Sequence, residues 1–212
     1  MAYDLQEQEE IEGIKAFWNR WGNLLLTVVT VALLTVAGYM GWQRYQANQA
    51  AQAAAVYGQL QQAVSAKDLA KVKESAGTIF EKYGGTVYGQ MAALLAAKTY
   101  LEAGDAKAAR APLQWAADKA MDDEFRQLAR VRLAGVLLDE KAYDEALGIL
   151  GSAPSEAFAG LFADRRGDVL AAQGKADEAR AAYKLALDKT RDGNPLRRLI
   201  EVKLEGLGGT GS

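Results

Sequence analysis

The chain has 212 residues, with 25 Lys plus Arg against 27 Asp plus Glu, a formal net charge of −2, and neither Cys nor His. Without those two residue types there is no thiolate nucleophile, no imidazole base, no Cys or His metal site and no disulfide, so most familiar enzyme chemistry is excluded. From Gln46 onward 22 basic residues balance 22 acidic ones, which removes the basic footprint expected of a nucleic-acid-binding protein. Ala, Leu, Gln, Glu, Lys and Arg dominate, and Pro occurs only at 112, 154 and 195, so the composition predicts an all-α chain.

Residues 1–20 are expected to form a short segment in which Asp4, Glu7, Glu9, Glu10 and Glu12 outnumber Lys15 and Arg20. A single transmembrane helix follows at 21–43. Its centre, Leu24 to Trp42, is a run of 19 residues without a charge, and at ~1.5 Å per residue it covers nearly one hydrocarbon core. The hydroxyls of Thr27, Thr30 and Thr35 can bond back into the helix, and Trp18, Trp21, Trp42 and Tyr45 bracket the run where both interfaces would lie. Ala51-Gln52-Ala53 has the form of a signal-peptidase site, but it lies nine residues beyond Trp42, and the segment before the apolar run is acidic where signal peptides are basic. Lys15, Arg20 and the amino terminus on one side, against Arg44 alone before Lys67 on the other, favour a cytoplasmic amino terminus.

Residues 44–56 are nearly all Ala and Gln, and a helical stalk is expected there. Residues 57–207 carry an internal repeat. Its anchors are Lys67, Gly104, Lys141 and Gly174, at intervals of 37, 37 and 33 residues, each at the turn between two helical stretches. Five residues after each anchor stands a small or slim apolar residue: Val72, Ala109, Ala146 and Ala179. Four further on come Ala76, Leu113, Leu150 and Tyr183, and three beyond that Ile79, Ala116, Ala153 and Ala186, a spacing that draws one stripe along a helix. Seven before the anchors stand Leu60, Ala97, Ala134 and Gly167. The pattern resembles the tetratricopeptide repeat, which implies an α-solenoid of about four helical hairpins. Asp122 and Asp123 are expected to cap a helix opening at Phe125, and Asn194-Pro195 to start a terminal helix. Residues 208–212, Gly-rich, are expected to be a flexible tail and no phosphate loop, since neither a preceding strand nor a suitably placed Lys accompanies them.

Aligned on the repeat, the first helices would line a concave face with Tyr57, Gln61, Met91, Leu94, Lys98, Leu101, Leu128, Val131 and Leu161, a groove suited to an apolar peptide or partner helix. The stretch Tyr88 to Leu101 has few polar members, so it is either buried all round or offers apolar surface to a partner. Asp164, Arg165, Arg166 and Asp168 form a charge cluster, whose ordinary reading is an ion network; no nucleophile or phosphate device accompanies it.

The parts and their order resemble one known family. They are the acidic start, Phe17-Trp18 before the apolar run, Gly41-Trp42 at its end, Tyr88-Gly89 opening a helix, Asp164-x-Arg166-Gly167-Asp168, and Gly174-Lys175. Together they resemble the YfgM family. The resemblance implies a non-enzymatic ancillary subunit of the bacterial Sec translocon with no cofactor, anchored in the inner membrane with its helical domain in the periplasm. It further implies work beside a membrane-anchored periplasmic chaperone of the PpiD type, passing on unfolded secretory clients. The alternative is a general membrane-tethered repeat scaffold for another envelope assembly.

Overall fold

The computed structural model describes residues 2–151 and 154–208; Ala153 and residues 209–212, part of the expected stripe and tail, lie outside that range. Among the described residues there are nine helices and no strand: α1 (Ala2–Ser65), α2 (Leu69–Lys82), α3 (Val87–Glu102), α4 (Ala106–Lys119), α5 (Asp123–Asp139), α6 (Tyr143–Ile149), α7 (Glu156–Ala172), α8 (Ala176–Lys189) and α9 (Pro195–Gly206). The chain divides into two compact units, residues 1–49 and residues 50–212.

The first unit is helix alone. Its most apolar window has a mean hydropathy of 2.1 and none of it is buried within the protein, by length and composition enough to cross a membrane. A helix core inside a soluble domain would be covered; here Leu33, Leu34 and Val31 are more than half exposed. Thr27 and Thr35 donate their hydroxyls to the carbonyls of Asn23 and Val31 at 2.7 and 2.8 Å, which removes two polar groups from a surface that would face lipid.

In the second unit Leu60 and Ala63 at the end of α1 share a core with Val72 and Ala76 of α2; α3 then pairs with α4, α5 with α6 and α7 with α8, and α9 closes the series. It is thus built of four hairpins and a terminal helix. Its buried residues begin at Ala53, ahead of the boundary at 57 read from the repeat. The anchor residues are the joints of the hairpins: Lys67, Gly104, Lys141 and Gly174 all adopt positive φ, at 53°, 78°, 60° and 77°. Each joint closes through the same two main-chain bonds. In the second hairpin Gly104 N–H reaches Leu101 O at 3.0 Å and Asp105 N–H reaches Tyr100 O at 2.8 Å; in the fourth, Gly174 and Lys175 repeat this onto Ala171 and Leu170. That is the left-handed termination which ends a helix and turns the chain at once. Asp68 and Asp105 then cap α2 and α4, accepting from the N–H groups of Lys71 and Ala108 at 3.1 and 2.9 Å, and this bond holds the Asp68 carboxyl below its usual range.

Lysine carries a steric cost at a left-handed joint that glycine does not. Lys141→Gly is therefore expected to stabilise the repeat body by about 0.5–1 kcal/mol, as the midpoint of urea unfolding of the full chain in detergent would show. A loss of stability there would contradict the strain.

All eleven described stripe residues are buried. Across each hairpin the bulk at the seventh position before the joint is reciprocal to that nine after it: Leu60 with Ala76, Ala97 with Leu113, Ala134 with Leu150, Gly167 with Tyr183. Close packing demands that trade, since a site between helices holds one large side chain and not two. Asn194 caps α9 as expected, accepting from Leu196 N–H at 3.0 Å.

Asp122 stands at the N-cap of α5 and Asp123 in its first turn, but the capping differs from the expectation. Helix α5 begins at Asp123 rather than Phe125, and the Asp122 carboxylate caps nothing: it accepts instead from Gln90 Nε2. The buried Gln90 also accepts from Asp122 N–H at 3.1 Å, tying α3 to the start of α5. Gln127, 37 residues on, repeats the device by accepting from Ser155 N–H at 2.8 Å at the start of α7. The 37-residue interval was the available signal for this pair, hidden because glutamine is no helix-cap residue.

Candidate functional site

Three regions of the repeat body invite a functional reading: the face of the first helices, the charge cluster on α7, and a groove between α2 and α4.

The residues expected to line the first-helix face divide by burial. Gln61, Lys98 and Leu101 are exposed, and Lys98 pairs with Glu102 at 3.6 Å. Tyr57, Met91, Leu94, Leu128 and Leu161 are half-buried. Tyr57 lies against the ring of Tyr88, centroids 5.5 Å apart, and burial raises its hydroxyl above the usual phenol value. Leu94 and Leu161 pack on the core, and Val131 is 3% exposed within it. Val131 therefore lines no open face: α5 turns it inward against its neighbours. The stretch from Tyr88 to Leu101 is mostly buried, with Gly89, Ala92, Ala93, Ala96, Ala97 and Tyr100 all inside.

The charge cluster is a clamp on the last helix. Lys203 of α9 places Nζ 2.7 Å from Asp164 Oδ1 and 2.7 Å from Asp168 Oδ1, both on α7. Tyr183 of α8 donates its hydroxyl to Asp168 Oδ1 at 2.8 Å, and Arg165 approaches Asp168 Oδ2 at 3.2 Å. The ammonium also lies 5.7 Å from the centroid of the Tyr183 ring, within cation–π range. Burial pushes the Asp164 carboxyl above its usual value, opposed by the bond from Lys203. Burial also raises the Tyr183 hydroxyl, as does its bond to Asp168. Three helices meet here through four charged groups and one phenol, and both carboxylates are committed to Lys203. The two sequence neighbours Arg166 and Gly167 part company: Arg166 is exposed, while Gly167 is buried beneath Tyr183. Lys203 and Tyr183 were not singled out as cluster members from sequence, because the former stands 39 residues from Asp164.

A methyl group added at Gly167 would lie 2.5 Å from two ring carbons of Tyr183. The ring cannot withdraw without breaking its bond to Asp168. Gly167→Ala is thus expected to lose up to about 2 kcal/mol of stability, the overpacking cost of about 1–3 being offset in part by the roughly 1 kcal/mol that alanine contributes to helix propensity. Urea unfolding would measure it, and a Gly167→Ala/Tyr183→Leu double variant, which copies the Ala97 and Leu113 arrangement, should recover part of the loss. Gly89 is equally confined: a Cβ there would meet Gly84 O at 2.7 Å and the Trp115 ring at 2.8 Å.

The groove between α2 and α4 has a volume of about 700 Å³ and contains none of the residues expected from sequence to bind a partner. Its floor is Ala96 and Tyr100 of α3, and Phe80 of α2 stacks on Trp115 of α4 across it, with centroids 4.7 Å apart. A second, more polar cleft of about 410 Å³ lies between the end of α1 and α2. Among the residues described in full, from Ile11 onward, no group of three acidic residues is placed to hold a metal ion.

Residues 15–209 match the family described as the tetratricopeptide repeat-like domain. The chain is 33% identical over 208 residues to the ancillary SecYEG translocon subunit of Neisseria gonorrhoeae, which covers 98% of this chain and 100% of that one. It is 30% identical to the protein of the same name from Haemophilus influenzae, again over 98% and 100% of the two chains. Against the Escherichia coli protein of that name it is 28% identical over 149 residues, 69% of this chain and 71% of the other. The apolar helix, the jointed hairpins and these relatives agree, and the chain belongs to the family of ancillary SecYEG translocon subunits, with a tetratricopeptide repeat-like domain as its body.

Proposed function

We propose that the chain is a non-catalytic subunit of the SecYEG translocon, held in the inner membrane by the apolar part of α1, with its amino terminus in the cytoplasm and its repeat body in the periplasm. The observation that carries this is the correspondence, over 98% of this chain and the whole of the relative, to proteins named as ancillary translocon subunits. The excess of Lys15, Arg20 and the amino terminus over Arg44 supports the orientation. A non-catalytic role is supported by the absence of Cys and His from the sequence and by the use of the paired carboxylates Asp164 and Asp168 as a helix clamp. In the periplasm the body links the channel to a membrane-anchored chaperone of the PpiD type and to emerging unfolded chains. The first-helix face around Leu101, Leu94 and Leu128 receives them.

A photo-crosslinking residue at Gln46, just beyond the apolar run, tests the reading in intact membranes. Capture of the SecY channel subunit is the expected result. Capture of other envelope proteins without any Sec component would favour a general tethered scaffold. Leu101, exposed and outside the core, provides a cleaner surface variant than Leu94: Leu101→Glu is expected to lower co-purification of the periplasmic partner several-fold while urea stability stays within about 0.5 kcal/mol.

A further inference from the structure

We propose that the groove between α2 and α4 is a second binding site, separate from the first-helix face, and that its occupant is an acidic, apolar segment of a partner polypeptide. The observation underneath it is an imbalance of chemistry. The walls are apolar, with Phe80, Trp115, Pro112 and Ala76. The polar groups facing the space are nearly all donors: Lys73 and Lys107, which make no ion pair among the described residues, and the Tyr100 hydroxyl, which makes no hydrogen bond among them. The single lining carboxylate, Asp105, is already used to cap α4 through Ala108 N–H at 2.9 Å. The Tyr100 phenol is protonated at neutral pH like any tyrosine, and burial with the nearby Asp105 charge raises it further, so it is a donor. A cleft of this size with aromatic walls suits two or three apolar side chains, and its free donors ask for carboxylates beside them.

Gly77 adds an independent argument. It stands in the middle of α2, where glycine weakens a helix relative to alanine, and no atom lies within 4 Å of where its Cβ would be. Packing therefore does not require glycine there, in contrast to Gly167 and Gly89. What the missing side chain does is keep the groove open along the α2 wall.

The test uses the full chain in nanodiscs of zwitterionic phospholipid and a fluorescein-labelled, end-blocked 12-residue peptide in which Leu and Phe alternate with Glu. Fluorescence anisotropy should show saturable binding to loaded discs and none to empty ones. A peptide with Lys in place of every Glu should bind at least tenfold more weakly. Gly77→Leu, which fills the groove without touching the core, and Lys73→Glu/Lys107→Glu, which reverses its rim, should each weaken the Glu peptide by at least tenfold. Equal binding of the two peptides, or undiminished binding to both variants, would overturn the proposal. Loss of self-association on Gly77→Leu would overturn it too, assigning the groove to a second copy of the chain. Crosslinking at Gln46 is independent of this groove, so failure of either result leaves the other standing.

Discussion

Replacing Lys203 by Met is expected to destabilise the repeat body by about 3–5 kcal/mol at neutral pH, the range for removing one partner of a buried ion pair. Lys203 is the cation nearest to Asp164, whose side chain is only 5% exposed, and it also neutralises Asp168 across the same gap. Without it two carboxylates face each other inside the α7–α9 junction, with Arg165 paired directly to Asp168 and acting on Asp164 only through its charge. Part of the cost returns as the pH falls. The Asp164 carboxyl is already held above its usual value by burial, so the folded state binds its proton more tightly than the unfolded state does. Its ionisation therefore costs stability as the pH rises through the window above the ordinary aspartate value. Removing Lys203 extends that window upward. The gap between variant and parent should be largest at neutral pH and should narrow on acidification, when Asp164 takes up a proton. Urea unfolding at a series of pH values measures this; a gap independent of pH would mean that lost packing of the Lys203 stem, and not charge, sets the cost.

Leu33→Arg is the second large effect, and it acts on the membrane unit. Leu33 lies at the centre of the run from Leu24 to Trp42 and is 65% exposed, with nothing in the protein to cover a charge. The nine Leu and Val residues of that run contribute about −3 to −5 kcal/mol together on an insertion scale, and a central arginine costs about +3. The balance moves close to zero, so insertion should fall from near complete to a mixture of inserted and uninserted chains. Carbonate extraction of membranes would show a large part of the variant in the soluble fraction, whereas the parent stays in the pellet. Full retention of the variant would mean that contacts with other membrane proteins, not lipid, hold the helix.

The parts of the fold that follow from local rules were readable in the residues. Charge-free length marked the apolar helix, and the spacing of Lys67, Gly104, Lys141 and Gly174 marked the joints, because a positive φ at a helix end recurs wherever the same turn recurs. The stripe residues followed from helical period alone. Long-range partners were not readable. Asp122 has the chemistry of a cap but is claimed by Gln90, 32 residues earlier, and Asp164 finds its cation on another helix. Val131 shows the limit of register: one position along α5 separates a surface residue from a core one, as the exposed Arg132 beside it illustrates. The groove between α2 and α4 escaped notice because it is defined by what is missing, small side chains at Gly77, Ala76 and Ala111, and absence has no period.

The four joints are closed by main-chain atoms, with lysine at two and glycine at two. A hinge pinned by peptide groups makes few demands on the side chains that surround it. The outward surfaces of the hairpins are thereby released from any duty to set the geometry. Each hairpin can therefore differ from the next in length and in what it displays, as the seven-residue α6 beside the 14-residue α4 and α8 shows, while the turn that joins its two halves stays the same.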